Sequence, residues 1–251
     1  MEVKISAVII TFNEEKNIER CLTSLIDIAD EIVVVDSFSS DKNRDICVSQ
    51  GVKFVTHKFE GHIQQKNWAI NQASNKIVLS LDADEAISAE LKESILTVKK
   101  NWEQDGYSFN RMTNYCGKWI KHGLWYPDVK LRLWDSSKGS WGGKNPHDTY
   151  LLKDSTTQKH LKGDLLHYSY YSIEEHKLQA DKFAKIASKA YFEAGKKSSI
   201  IKIIFSPISR FISSYIMNRG FLDGKAGWTI AHISYKETKL KYKLLKELQS
   251  S

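Results

Sequence analysis

Asp82 and Asp84 stand two residues apart, directly after the apolar run Ile77-Val-Leu-Ser-Leu81, and Glu85 makes three carboxylates in four positions. The length and branched content of the run predict a buried strand. Residues two apart on an extended backbone share a face. Two hard carboxylates at a strand's end suit Mg²⁺ or Mn²⁺, ions that also take diphosphate oxygens. An acidic turn capping the next helix has the same composition, and the pair alone does not separate the two readings. Two further polar clusters close apolar runs in the same way: Thr11-Phe-Asn-Glu14 at the end of the run that begins at Ile5, and Asp36 after Ile32–Val35.

The elements that must position these groups alternate. Asn13, followed by Glu14 and Glu15, is expected to cap a first helix. Ile18, Cys21, Leu22 and Leu25 recur at its spacing. Ser37–Asp41 reads as a turn before a second helix that ends near Gly51. Val52–Thr56 is a third strand and Ile63–Ala73 a third helix. After the fourth strand, Ser88 caps a helix with an apolar stripe at Leu91, Ile95 and Val98. This β-α-β-α-β-α-β-α order predicts an open α/β sheet, mostly parallel, with helices on both faces. In such a sheet the strand ends open on one side, so the three clusters converge on one crevice. No Gly-x-Gly-x-x-Gly follows the first strand, and no Gly-x-x-x-x-Gly-Lys-Ser/Thr occurs, so dinucleotide and P-loop readings lose their sequence support.

Beyond residue 105 the pattern changes. Gly106–Met112 and Val129–Trp134 read as strands, amid Tyr115, Trp119, His122, Trp125, Tyr126, Trp141 and His147. Such side chains stack on sugar rings or build a satellite core under loops. Ser172-Ile-Glu-Glu175 is a capping box opening a helix that ends at Gly195. Ser198–Asn218 is apolar but broken by Lys202, Pro207 and Arg210. It predicts an amphipathic helix, or a broken helical pair, lying on a membrane surface or docked on the domain. Lys236–Leu248 reads as a basic helix.

The net charge of +7 is unevenly placed: residues 196–251 carry eleven Lys/Arg against three Asp/Glu, or +8, leaving −1 for the rest. That argues against a nucleic-acid protein with a basic working face and predicts a basic segment, 196–251, near an anionic membrane surface. The three cysteines are widely spaced and odd in number, which favours a reducing compartment. The N-terminus enters a strand-like run with no signal-peptide pattern, so a cytoplasmic protein, peripheral on the inner face of the cytoplasmic membrane, is expected.

Taken together, Val8-Ile-Ile-Thr-Phe-Asn-Glu-Glu15, Glu31–Asp41, Gln65-Lys66-Asn67 and Leu81-Asp-Ala-Asp-Glu85 resemble family 2 glycosyltransferases of the GT-A, nucleotide-diphospho-sugar transferase, fold. Gly123–Asp128, Leu131–Trp134, Lys162–Tyr170 and Arg219–Gly224 are similar to the subfamily of lipopolysaccharide core β-1,4-glucosyltransferases. The resemblance spans nearly the whole chain. It implies a catalytic domain over 1–171, with a nucleotide-binding half (1–104) and an acceptor-side half (105–171), and a helical C-terminal segment over 172–251.

The resemblance implies an inverting, metal-dependent transfer of a hexose, glucose from UDP-glucose, to a lipid-linked saccharide such as the heptose of a lipopolysaccharide inner core. Asp36 would contact uracil or ribose, with Thr11, Asn13 and Glu14 lining the same pocket and Lys66 near the nucleotide. Asp84 would be the principal ligand of Mg²⁺ or Mn²⁺, with Asp82 close to ribose or metal. Asp148, in Pro146-His147-Asp148, is the first choice for the base, and Asp128 the second. His167 is either a third metal ligand or a hydrogen-bonded structural histidine. Arg132 either holds the diphosphate or pairs a carboxylate in the sheet. Two other readings compete. A sugar-nucleotide nucleotidyltransferase normally brings a Gly-rich, Arg- and Lys-bearing first loop, where this chain has Thr-Phe-Asn-Glu. A non-catalytic membrane-surface module would retain its partner after Asp84→Ala.

Overall fold

The computed structural model describes residues 2–144 and 147–250, with the side chains of Lys144 and His147 left out. Pro146 therefore lies outside the described residues, and of His147 only the strand position is described.

In chain order the elements are β1 (Ile5–Thr11), α1 (Ile18–Ser24), β2 (Glu31–Asp36), α2 (Asn43–Ser49), β3 (Lys53–Thr56), α3 (His62–Ile70), β4 (Ile77–Asp82), β5 (Glu85–Ile87) and α4 (Ala89–Lys100). Then follow β6 (Gly106–Tyr115), β7 (Lys118–Trp119), β8 (Asp128–Asp135), β9 (Gly139–Lys144), β10 (His147–Leu152), β11 (Gln158–Tyr170), α5 (Ile173–Glu193), α6 (Ile200–Ile212) and α7 (Gly224–Leu248). The chain forms two compact units, one of residues 1–111 and 128–167, the other of residues 112–127 and 168–251. Residues 112–127 and 168–171 cluster with the C-terminal helices.

In the first unit, β3, β2, β1 and β4 run parallel in that order, and β8 and β6 continue the sheet antiparallel to one another. The chain steps outward from β1 to β2 and β3, then returns to the other side of β1 for β4. The switch of direction falls between β1 and β4, and their carboxyl ends flank the crevice where open α/β sheets bind ligands. Register brings the polar clusters level: Ile10 pairs with Asp82 and Thr11 with Asp36.

Alternation along the strands builds two cores. Ile5, Ala7 and Ile9 of β1 and Leu79 and Leu81 of β4 face α1, α2 and α4, where Ile18, Cys21, Leu22, Cys47, Leu91 and Ile95 are buried. Val8, Val33, Val35 and Val78 face the other way, onto Ala69 of α3 and the cluster Trp134, Trp141 and Tyr150. Each fully buried aliphatic side chain contributes about 1.5–3 kcal/mol. Both faces of these strands are therefore apolar, and the sheet is covered on both sides.

Three local expectations change. The first helix is not capped by Asn13: it begins at Ile18, after Asn17, because Asn13 adopts a left-handed φ of 54° and its side chain is engaged elsewhere. The residues after β4 form the short strand β5, antiparallel to β11, before Ser88 caps α4 through Leu91 N–H. Trp141 and Tyr150 lie on a β9–β10 hairpin and pack on Trp134, with Trp134 and Tyr150 stacked at 3.8 Å. In β11, Gly163 takes a φ of 92°, and a Cβ there would collide with the backbone of Leu91. Only glycine lets β11 pass the start of α4.

In the second unit, Tyr115, Ile120 and Ile230 form a small core with Trp125 and Tyr170. The capping box of α5 forms as expected, Ser172 Oγ accepting from Glu175 N–H at 3.1 Å. His176 is buried among Tyr115, Trp125 and Tyr170, with Nδ1 3.0 Å from the Tyr115 hydroxyl. Burial lowers its pKa to about 4, from an ordinary value near 6.5. The folded state therefore refuses a proton that the unfolded chain accepts. The stabilising contribution is complete above about pH 6.5 and is lost as pH falls toward 4, by up to about 3 kcal/mol. Urea unfolding at pH 7.5 and 4.5 should show wild type losing more stability than His176→Phe over that interval. Equal losses would refute the neutral buried imidazole.

Candidate active site

Every candidate residue of the expected site belongs to the first unit. Asp36 ends β2 and is buried. Its carboxylate accepts from Ser39 N–H at 2.8 Å, from the Ser39 hydroxyl and from Asn43 Nδ2 at 3.0 Å. Asn43 Nδ2 also donates to Thr11 Oγ1 at 3.0 Å, tying the ends of β1 and β2 together. Asn13 completes this clasp: its N–H donates to Ser39 Oγ at 2.7 Å, and its Oδ1 accepts from Ser40 N–H at 2.9 Å. Thr11, Asn13 and Asp36 thus shape one loop-lined floor, and Oδ2 of Asp36, with one donor on it, retains acceptor capacity.

From the other side of the switch, β4 delivers Asp82, and both its oxygens meet cations. Lys66 Nζ lies 2.9 Å from Oδ1 and Arg132 Nη2 2.9 Å from Oδ2. The contacts propagate. Lys66 also binds Asp148 Oδ2 at 2.8 Å, Arg132 binds Glu85 Oε1 at 3.1 Å, and Glu85 meets Arg111 Nη1 at 3.4 Å. Arg111 Nη2 reaches Asp128 Oδ2 at 2.8 Å, and Lys130 closes on Asp128 Oδ1 at 2.9 Å. The result is a continuous chain of alternating charge, Asp148–Lys66–Asp82–Arg132–Glu85–Arg111–Asp128–Lys130. Burial alone would raise the Asp82 carboxyl, but the Lys66 and Arg132 charges hold it well below the usual carboxylate range. Trp141 walls this row, with Lys66 Nζ 4.5 Å from its ring centroid.

Asp84 is set apart from that row. Its Oδ2 lies 3.1 Å from His167 Nε2 on β11, and the two side chains keep 25% and 17% exposure. The pairing of β5 with β11 brings them together, since His167 is opposite Glu85. Half-buried Glu14 stands near. Burial pushes its carboxyl up, the hydrogen bond from Asn17 at 2.7 Å opposes that, and the charges of Asp84, Asp41 and Asp82 reinforce it.

A carboxylate and an imidazole side by side, in a locally electronegative setting, fit a divalent cation as two of its ligands. Among the described residues no three His, Cys, Asp or Glu side chains converge as a complete cage. The remaining coordination would have to come from substrate oxygens and water, the usual habit of Mg²⁺. The expectation that Asp82 shares the metal is not what the geometry favours, because each of its oxygens already sits on a buried cation. Arg132 shows the carboxylate-pairing alternative, although its Nε and Nη1 are buried without a partner among the described residues.

Sequence reasoning left Asn43, Arg111 and the role of Glu85 unassigned. Glu85 was visible as the third carboxylate of the acidic turn. Nothing in the spacing marked Asn43 or Arg111, which become neighbours of the site only through the sheet.

This combination, a parallel sheet with a switch point lined by an acidic floor, a carboxylate–histidine pair and buried cations, marks a ligand site at the strand ends of an open α/β sheet, the class of architecture to which many transferases belong. The family model of "Glycosyl transferase family 2" matches residues 6–160. The chain belongs to glycosyl transferase family 2 and has the family's GT-A fold. An uncharacterized glycosyltransferase of Rickettsia bellii is 31% identical, over 98% of this chain and 87% of the relative. The lipopolysaccharide core biosynthesis glycosyltransferase LpsC of Rhizobium meliloti is 26% identical, over 93% of this chain and 91% of its own. Among solved structures, S. aureus TarS 1–349 in complex with UDP aligns at a TM-score of 0.44 and 16% identity, covering 99% of this chain and 92% of that one.

Proposed function

We propose that this glycosyltransferase is an inverting, divalent-metal-dependent hexosyltransferase. It moves glucose from UDP-glucose to a lipid-linked saccharide, with the heptose of a lipopolysaccharide inner core as the fitting acceptor. The observation that carries the reading is the Asp84–His167 pair beside the nucleotide floor at the β1/β4 switch, with lysine and arginine engaged on Asp82 instead. The likeness to LpsC supports the acceptor class. The protein works at the cytoplasmic face of the membrane, peripherally.

Asp36 and the Thr11–Asn13–Glu14 turn hold the uridine; Asp84 and His167 would hold the metal, which would supply charge neutralisation at the leaving diphosphate. Lys66 and Arg132, engaged on Asp82, place positive charge at the same end of the donor. Asp148 accepts the proton of the acceptor hydroxyl. That oxygen bonds to the anomeric carbon from the face opposite the bond to UDP, which breaks with its electron pair leaving on the diphosphate. Asp148 suits the task better than Asp128. Asp128 has a cation on each oxygen, and its carboxyl, which burial would raise, is held below the ordinary range by Arg111 and Lys130. Asp148 makes its ion pair through Oδ2, and Oδ1 has no partner among the described residues.

Calorimetry with UDP, GDP and ADP, each with and without Mn²⁺, tests the donor. UDP should bind, and only with the metal. Absence of binding by all three would sink the transferase mechanism as drawn. For the base, Asp148→Asn should lower kcat by about 10²–10⁴-fold with UDP binding retained, whereas Asp128→Asn should stay within about tenfold of wild type. The reverse pattern moves the base to Asp128.

A further inference from the structure

The second unit carries an apolar surface that the transfer reaction does not use. Ile200, Ile201, Ile204, Phe205, Ile208 and Ile212 of α6 are all exposed, from 40% to 68%. At 3.6 residues per turn these six fall within an arc of about 140°. A π-helical turn, Ser213–Met217, continues the helix and adds Ile216 and Met217, exposed at 56% and 73%. Phe221 and Leu222, on the next turn, are about half exposed as well. The buried residues of the same stretch are Pro207, Ser214 and Gly220, and α6 packs on α7. An unbroken isoleucine and phenylalanine face of this length is far from the scattered apolar residues of an ordinary surface.

The charge around it is one-sided. Residues 196–235 hold six Lys/Arg, namely Lys196, Lys197, Lys202, Arg210, Arg219 and Lys225, against Asp223 alone, a difference of +5. All six basic residues are exposed and Asp223 is buried, where it accepts from His122 N–H at 2.9 Å. Arg210 has Glu237 of α7 for company. An apolar stripe bordered by cations, with no exposed acid on its own stretch, is complementary to acyl chains beneath anionic headgroups. A protein partner would have to supply acids around a greasy groove, and a second copy would bring the same cations face to face. The stretch is apolar and long enough to cross a bilayer, but Lys202, Pro207 and Arg210 lie inside it and Ser206, Ser209 and Ser213 follow its polar side. That makes an in-plane helix the better fit.

We infer that α6 and the turn after it, Ile200–Leu222, lie in the headgroup–acyl boundary of an anionic bilayer, apolar face inward, and are the membrane anchor of this enzyme. The basic end of α7 is the lesser contributor, since, among the described residues, it carries no exposed apolar stripe to insert. Anchoring through α6 has a signature that attraction by a basic tail lacks. Salt screens the charges but leaves the apolar insertion in place.

The test is co-sedimentation of the full chain with phosphatidylethanolamine vesicles, with and without phosphatidylglycerol, at low and high salt. Wild type should bind the anionic vesicles and keep a substantial part of that binding at high salt. Ile204→Glu/Phe205→Glu should weaken binding about tenfold or more at both salts, with an unchanged thermal midpoint because both positions are exposed. Lys236→Gln/Lys239→Gln/Lys243→Gln should bind nearly as wild type. No vesicle binding by wild type overturns the inference, as does binding abolished by salt alone, or the apolar double variant binding normally. Sedimentation showing a dimer that the double variant dissociates overturns it in favour of a second copy, and protease protection across sealed vesicles overturns it in favour of a spanning helix. Metal-dependent UDP binding, read on the same preparations, reports separately on the catalytic proposal.

Discussion

Asp84→Ala is expected to abolish metal-dependent UDP binding and to cut turnover by about 10³-fold or more, with the thermal midpoint nearly unchanged. The size follows from charge. Neutralising a departing diphosphate through a bound cation is worth several kcal/mol in the transition state, and each 1.36 kcal/mol is tenfold in rate. The small stability effect follows from exposure. Asp84 keeps 25% of its surface, and its one ion pair among the described residues is with His167, a pair of the kind that contributes about 0–1 kcal/mol. Asp82→Ala should behave oppositely, leaving Lys66 and Arg132, each 4% exposed, short of an anion. It should lose stability first, and activity through that loss. Calorimetry, initial rates and thermal melts on the two variants together check this. An Asp84→Ala protein that still bound UDP only with Mn²⁺ would remove Asp84 from the metal.

Glu85→Ala is expected to destabilise the first unit by about 3–5 kcal/mol, the cost of removing one partner from a buried ion-paired network. Glu85 is buried, and it faces Arg132 Nη2 at 3.1 Å and Arg111 Nη1 at 3.4 Å while accepting from Asp82 N–H at 2.9 Å. One substitution therefore takes one of two carboxylate partners from each guanidinium, leaving Arg132 on Asp82 and Arg111 on Asp128, and removes the acceptor of a backbone donor. For a chain of this size that corresponds to a midpoint lower by roughly 10 °C. Glu85→Gln, which keeps the hydrogen bonds and loses the charge, should fall between the two. Circular dichroism melts decide it: a shift of only a degree or two would mean the charge row is not a structural unit. The same row gives an acid limit. Asp82 has a folded pKa well below its unfolded value, so its contribution is present above the unfolded pKa and is lost only as pH falls through the folded one, in strongly acid solution.

The parallel half of the fold was legible because its signals are local. Continuous β-branched runs, helical spacing at Ile18–Leu25 and turn residues after each strand each act within a few positions, and the same residues are the buried ones. Order β-α-β then implied which strand ends share a side, and Asp36, Asp82 and Asp84 fall there as expected. Element boundaries failed where one side chain had two uses. Asn13 has the composition of a cap, yet its amide is taken up by the Ser39–Ser40 loop, and that contact exists only because β1 and β2 are neighbours.

The sequence by itself determined the family, the open α/β sheet, the crevice at the strand ends and the presence of a basic, apolar C-terminal stretch. The tertiary structure alone decided which acids are free to do chemistry. Asp82 and Asp84 are equivalent on paper, two carboxylates on one face of one strand. They part company because Lys66 arrives from α3 and Arg132 from β8 to meet the first, while β11 brings His167 to the second. Charge pairing acts over a few ångströms between residues up to 83 positions apart, and no spacing rule along the chain reports on it.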